Sequence, residues 1–181
     1  MRRWKSRIVS AVFFHSTAVV SGLGATVKRC RTELEDALKA YVHMRGYSSL
    51  NDLEFFVRAF LECWAEPGFH RFWRVWNPGI SFFVFNLYRR LRVSFERDSA
   101  TILAFVANGF AHNAVACPLM GRWSWTLPVA FLSFGVFTVV SRRLEGLLSQ
   151  DRWPWPLNAA GNVGLVCLSM DLGFRLNAWV G

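Results

Sequence analysis

Ser99–Gly121 reads SATILAFVANGFAHNAVACPLMG and carries no permanently charged residue. As a helix rising about 1.5 Å per residue, it is long enough to cross the roughly 30 Å hydrocarbon core of a bilayer. Immediately after it, Trp123 to Ser141 forms a second uncharged run. A third extends from about Leu157 to Met170 and continues through Asp171 to Val180, and a fourth, Ile8 to Val27, has only His15 as an ionisable group. With 53% apolar and 16% aromatic residues over 181 positions, the pattern predicts an all-α, polytopic membrane helix bundle of about four spans. It would be a multi-pass integral membrane protein forming a single membrane domain over 1–181.

Within that domain the chain divides into four parts. Residues 1–31 form an N-terminal span or anchor, 32–98 an amphipathic, interfacial region, 99–141 a helical hairpin turning near Gly121, Arg122 and Trp123, and 153–181 a C-terminal span. A cleaved signal peptide is the competing reading of the first part, since Arg2, Arg3, Lys5 and Arg7 precede the apolar run and Gly22, Gly24 and Ala25 close it. The length of the run, and Lys28, Arg29 and Arg31 directly after it, favour a retained helix or an interfacial anchor.

The formal net charge of +9 raises the question of nucleic acid, but the placement of the cations answers it differently. Arg89, Arg90, Arg92 and Arg97 precede the hairpin and Arg142, Arg143 and Arg152 follow it, as the positive-inside pattern and anionic headgroups favour. No nucleic-acid signature accompanies them, and a lipid bilayer is the expected partner. Trp123, Trp125, Trp153 and Trp155 stand at span ends, where indoles favour the interface. Cys30, Cys63, Cys117 and Cys167 are scattered and form no metal-ligand pair, so neither a metal site nor a disulfide framework is expected.

Glu33 to Met44 has helical composition, Gly46, Ser48 and Ser49 interrupt it, and Asp52 opens a second helix to about Ala65. Phe55, Phe56, Phe60 and Trp64 recur near helical spacing against Glu54, Arg58 and Glu62, which predicts an amphipathic helix on the membrane surface or against the bundle. Phe69, Phe72, Trp73 and Trp76 then alternate with His70, Arg71 and Arg74, a mixture suited to a helix at headgroup level. Asn77, Pro78 and Gly79 make a break before Ile80 to Leu87, which is too short to span alone and suits a re-entrant or tilted segment. At that break an amide either faces a cavity or closes a local turn.

On a helical Ser99–Gly121, Ala104, Asn108, His112 and Ala116 form one ridge, small at its ends and polar in its middle, which packs closely or lines a passage. An ionisable group so deep in a span serves function or a buried partner; a single hydrogen bond between helices is the plainer role.

Together these residues resemble the membrane-bound O-acyltransferase family. The resemblance rests on Phe72, Trp73, Arg74, Val75, Trp76 and Asn77, then Tyr88, Arg89 and Arg90, then Phe110, Ala111, His112 and Asn113, with the Leu50 to Trp64 helix ahead of them; it covers roughly Leu50 to Arg143. It implies acyl transfer from a thioester, acyl-CoA or an acyl carrier, to a hydroxyl or amine acceptor. No tightly bound cofactor is implied; the thioester is a co-substrate. His112 matches the family's catalytic histidine and Asn77 its second motif position, and both are the expected catalytic residues. Trp73, Trp76, Asn108, Arg74 and Arg89 are the expected substrate-binding residues, with Arg71 and Arg90 as further phosphate contacts. Members of that family generally carry more spans. The shorter chain is then a minimal relative, a truncated copy, or one that completes its enclosure as a homo-oligomer or with a partner membrane protein.

Three other functions are compatible with the sequence: a catalytically silent membrane subunit, a structural membrane protein, and a small transporter in which Asp171 and Arg175 pair inside a span. No Gly-x-Ser-x-Gly elbow, His-x-x-x-His pair or phosphate-cradling glycine loop occurs, which argues against the common hydrolase, zinc and nucleotide chemistries.

Overall fold

A computed structural model describes residues 26–44, 53–148 and 150–180. Apart from Thr26 and Val27, the first apolar run lies outside the described residues, as do Gly46, Ser48, Ser49 and Asp52. Two compact units divide the chain after Ser48. In the first, α1 (26–44) carries Arg29–Glu33 and Arg31–Glu35 pairs at 2.9 and 2.8 Å, one turn apart on an exposed face.

All described elements of the second unit are helical: α2 (Leu53–Ala65), α3 (Phe69–Val75), α4 (Pro78–Leu91), α5 (Arg97–Met120), α6 (Thr126–Leu148), a 3₁₀ turn (Gln150–Arg152) and α7 (Trp155–Val180). Three of them, α5, α6 and α7, are long and apolar enough to cross a membrane. They mark the chain as membrane-associated. The hairpin forms where the sequence predicts it, with Gly121 at φ 66° ending α5. Glycine takes that left-handed turn without a Cβ penalty.

What holds α5 to α6 is close approach. A Cβ at Gly109 would lie 2.7 Å from Phe131 Cβ, and one at Gly135 would lie 3.0 Å from Ile102 Cα. Lipid tails are as apolar as leucine, so helices in a bilayer associate by such packing rather than by expelling water. The most closely packed line on α5 is therefore Thr101, Phe105, Gly109 and Asn113, all buried. Of the expected ridge, Ala104 is buried with them, while Asn108, His112 and Ala116 are half-buried beside it. At the open end, Asp98 is held by Arg142 and Arg143, so two of the expected lipid-facing cations are paired.

α3 is more enclosed than its mixed aromatic and basic composition suggests. It is in contact with α2, α4, α6 and α7, and Phe69 and Phe72 are each 1% exposed. With Cys63, Phe105, Phe131 and Phe134 they make the core of the unit. Of this segment's aromatic residues Phe69 and Phe72 are core and Trp73 and Trp76 pack half-buried against them, and of its cations Arg71 is half-buried in ion pairs while Arg74 is exposed. The C-terminal end of α2 is tied down from α7, where Asn162 Nδ2 donates to the carbonyls of Trp64 (3.0 Å) and Glu66 (2.9 Å). Those are among the acceptors a helix end leaves unsatisfied.

Candidate functional site

Asn77 stands between α3 and α4 in a left-handed conformation, φ 35° and ψ 82°. It is the one non-glycine with positive φ among the described residues. Short polar side chains tolerate that region because they bond locally. Here Oδ1 accepts from the Ile80 amide at 3.2 Å, while Pro78 occupies the first helical position, where its missing N–H is not needed. The local turn is thus formed, and the side-chain NH₂ is not used in it. Asn77 also lines a hollow of about 360 Å³ with Trp76, Val57, Ala59, Phe60 and Leu61. Both uses of the amide foreseen from the sequence are present at once.

Trp76 stacks on Phe72 at 5.5 Å and meets Phe60, Trp64 and Trp73. Trp73 lies deeper, 4.9 Å from Phe134, 5.1 Å from Phe105 and 6.5 Å from Phe131. Its Nε1 is buried without a partner.

His112 Nδ1 lies 2.8 Å from the Asn108 carbonyl oxygen, one turn back on α5. A carbonyl only accepts, so the hydrogen sits on Nδ1 and the lone pair on Nε2. The imidazole packs on Phe131 at 4.9 Å, the ring that Trp73 also meets. Phe131 therefore joins the aromatic cluster to the histidine. Asn108 takes part through its backbone.

Beside His112 is a residue whose importance the sequence conceals. Asn113 is 0% exposed, and neither Nδ2 nor Oδ1 has a partner. Each such group costs about 1–3 kcal/mol when left unpaired. In sequence it is one more asparagine of the span; only burial distinguishes it from the half-buried Asn108.

The structure thus brings Trp73, Trp76 and His112 around one aromatic wall, with Asn77 at its far edge on Trp76. His112 does not line the hollow beside Asn77. Arg74 and Arg89 are exposed, as donors to a phosphate at the surface would need to be. No group of three metal-ligating side chains occurs among the described residues.

A second polar cluster was not foreseen. His70 on α3 approaches Ser141 Oγ through Nδ1 (3.3 Å) and Glu145 through Nε2 (3.5 Å), both on α6. Arg71 bonds Glu145 and reaches Asp151 at 2.8 Å. Burial is the main cause holding the His70 imidazole below its ordinary pKa, against the pull of Glu145, and Arg71, Arg142 and Arg74 act in the same direction as burial. Glu66 is raised, again chiefly by burial.

No family model, curated protein or solved structure matches this chain.

Proposed function

We propose that this protein is a membrane-embedded acyltransferase of the membrane-bound O-acyltransferase type, moving an acyl group from a thioester to a hydroxyl or amine. The observation that carries the proposal is the 2.8 Å contact between His112 Nδ1 and the Asn108 carbonyl oxygen. With Nδ1–H committed to the Asn108 carbonyl, Nε2 is an acceptor inside an apolar wall, as a general base requires.

In the reaction, the acceptor oxygen attacks the thioester carbonyl while its proton passes to His112 Nε2. The C–S bond breaks, and the thiolate leaves with that proton. The NH₂ of Asn77 positions the donor or acceptor by hydrogen bonding, and Trp73, Trp76 and Phe131 exclude the water that would hydrolyse the thioester. Arg74 and Arg89 meet the phosphates of acyl-CoA or the phosphate of an acyl carrier's phosphopantetheine arm. Asn108 contributes by fixing the imidazole. In this reading Ile8–Val27 supplies a fourth span, and α4, about 21 Å long, is re-entrant behind the Asn77 break. The exposed face of α7 meets lipid, a second copy or a partner membrane protein that completes the enclosure.

Labelled acyl-CoA supplied to membranes holding the full chain tests the reading. Transfer should fall at least about 100-fold in His112→Ala and less in Asn77→Ala. Transfer unchanged in the His112 variant would overturn it.

A further inference from the structure

Ser141, His70 and Glu145 have the relations of an acyl-transfer triad. Ser141 Oγ accepts from the His70 backbone amide at 3.4 Å and lies 3.3 Å from His70 Nδ1. Since the amide contact uses a lone pair, the hydroxyl's only proton is free to point at Nδ1. The imidazole then carries its own hydrogen on Nε2, toward the Glu145 carboxylate at 3.5 Å. Arg71 fixes that carboxylate from the other side and is itself braced by Asp151. Nucleophile, base and orienting acid follow in the order the chemistry requires, and such a set is recognised by geometry rather than by chain position.

The surroundings suit the same chemistry. Ser141 is 8% exposed and the His70 side chain 11%. Ser141 also lines a cavity of about 200 Å³ whose other walls include Phe137, Val140, Leu144, Leu157 and Leu165. Arg142 and Arg143 follow Ser141 directly, which sets the hydroxyl at the basic end of the hairpin, near the depth of lipid ester carbonyls rather than at mid-bilayer.

We propose that Ser141 is the nucleophile of a second site, separate from His112, that cleaves esters or thioesters of apolar acyl chains held in this cavity. Ser141 Oγ bonds to the acyl carbonyl carbon as its proton passes to His70 Nδ1. The C–O or C–S bond then breaks, and the leaving alcohol or thiol takes that proton. Water next attacks the acyl-serine, giving one proton to His70 and through it back to Ser141 Oγ, and a carboxylic acid departs. The charged groups around His70 are Glu145 and Arg142 on α6 and Arg71 and Arg74 on its own helix. Burial keeps the imidazole neutral and ready as a base.

A fluorescent fluorophosphonate applied to the full chain in nanodiscs tests the site. The probe should modify Ser141, located by peptide mass, with a rate that rises with pH as His70 loses its proton, the rise lying below the ordinary histidine value of about 6.5. Ser141→Ala should abolish labelling and His70→Asn should slow it about 100-fold. His112→Ala should leave it unchanged, which separates failure here from failure of the transferase reading. Ser141→Cys guards against misfolding: it should exchange the fluorophosphonate for an alkyl iodoacetamide. Hydrolysis of an octanoyl glycerolipid would assign the substrate to lipid esters, and hydrolysis of octanoyl-CoA to thioesters. Wild-type protein that is folded yet unlabelled at Ser141, or labelling equally fast in His70→Asn, would overturn the proposal and leave Ser141 as a cap on the His70 amide.

Discussion

His112 and His70 are built in opposite ways. His112 is held by one bond to its own helix and an aromatic ring, all from a background without charge. His70 is held by a hydroxyl and a carboxylate on another helix, with arginines around it. A histidine within an uncharged span is conspicuous in sequence and sparsely furnished in space; one in a mixed aromatic and basic segment is inconspicuous in sequence and richly furnished. Prominence along the chain measures contrast with neighbours. It does not measure how many partners folding supplies.

The most damaging way to test that contrast is to separate the helices on which both sites depend. Gly109→Leu would drive Phe131 out of the α5–α6 contact, since even a Cβ there comes within 2.7 Å of it. We expect a loss of about 3 kcal/mol or more, read as a lower denaturation midpoint in detergent, with both histidine sites lost together. A narrower break is His112→Ala, whose expected loss of transfer is at least about 100-fold with Ser141 labelling intact. If both activities fall, the two histidines belong to one site.

Asn113→Leu sharpens the comparison from the other side. Removing two unpaired buried atoms should stabilise the fold by about 1–2 kcal/mol in unfolding titrations of the free protein. Destabilisation would mean that the shape of the Asn113 side chain, packed at 0% exposure, matters more to the fold than its unpaired polar atoms.

Acidification probes the His70 site without any substitution. Because the folded pKa of His70 is lowered, the unfolded chain binds more protons once pH drops through its ordinary value of about 6.5. Stability should therefore be full above that value and decline as pH falls through it toward the folded pKa, and His70→Asn should flatten the decline. The smallest effect concerns Cys63, fully buried, donating to the Phe60 carbonyl at 3.0 Å and pushed up to about 12 chiefly by burial. It should resist maleimide at pH 8 until the protein is unfolded, while the exposed Cys167 reacts with a membrane-permeant reagent.

The long helices could be read in advance because hydrophobicity, length and a turn glycine act locally. α5 and α7 begin and end within about two residues of the uncharged runs, while α6 continues past Ser141 through Arg142, Arg143 and Glu145 to Leu148. The break at Asn77 was readable for the same reason, although its two uses were legible only as alternatives. The enclosure of α3 was not: His70, Arg71 and Arg74 give it an interfacial composition, and only the packing of α2, α6 and α7 around Phe69 and Phe72 makes those two rings core. The His70–Ser141 contact joins positions 71 apart, which no spacing rule connects. Asn113 illustrates a subtler loss, because side chains one step apart on a helix diverge by about 100°. His112 drew the eye, and its neighbour met the core.

The pairing of Asp98 with Arg142 and Arg143 has a consequence for biogenesis. A carboxylate at the head of α5 leaves the ribosome before the arginines at the foot of α6 exist, so the first leg of the hairpin waits with its charge uncompensated. Only when the second leg has been synthesised does the clasp close. Asp98 thereby favours delivery of the two helices to the bilayer as a pair, and a nascent chain halted before Arg142 would hold two apolar legs joined by their glycine contacts alone.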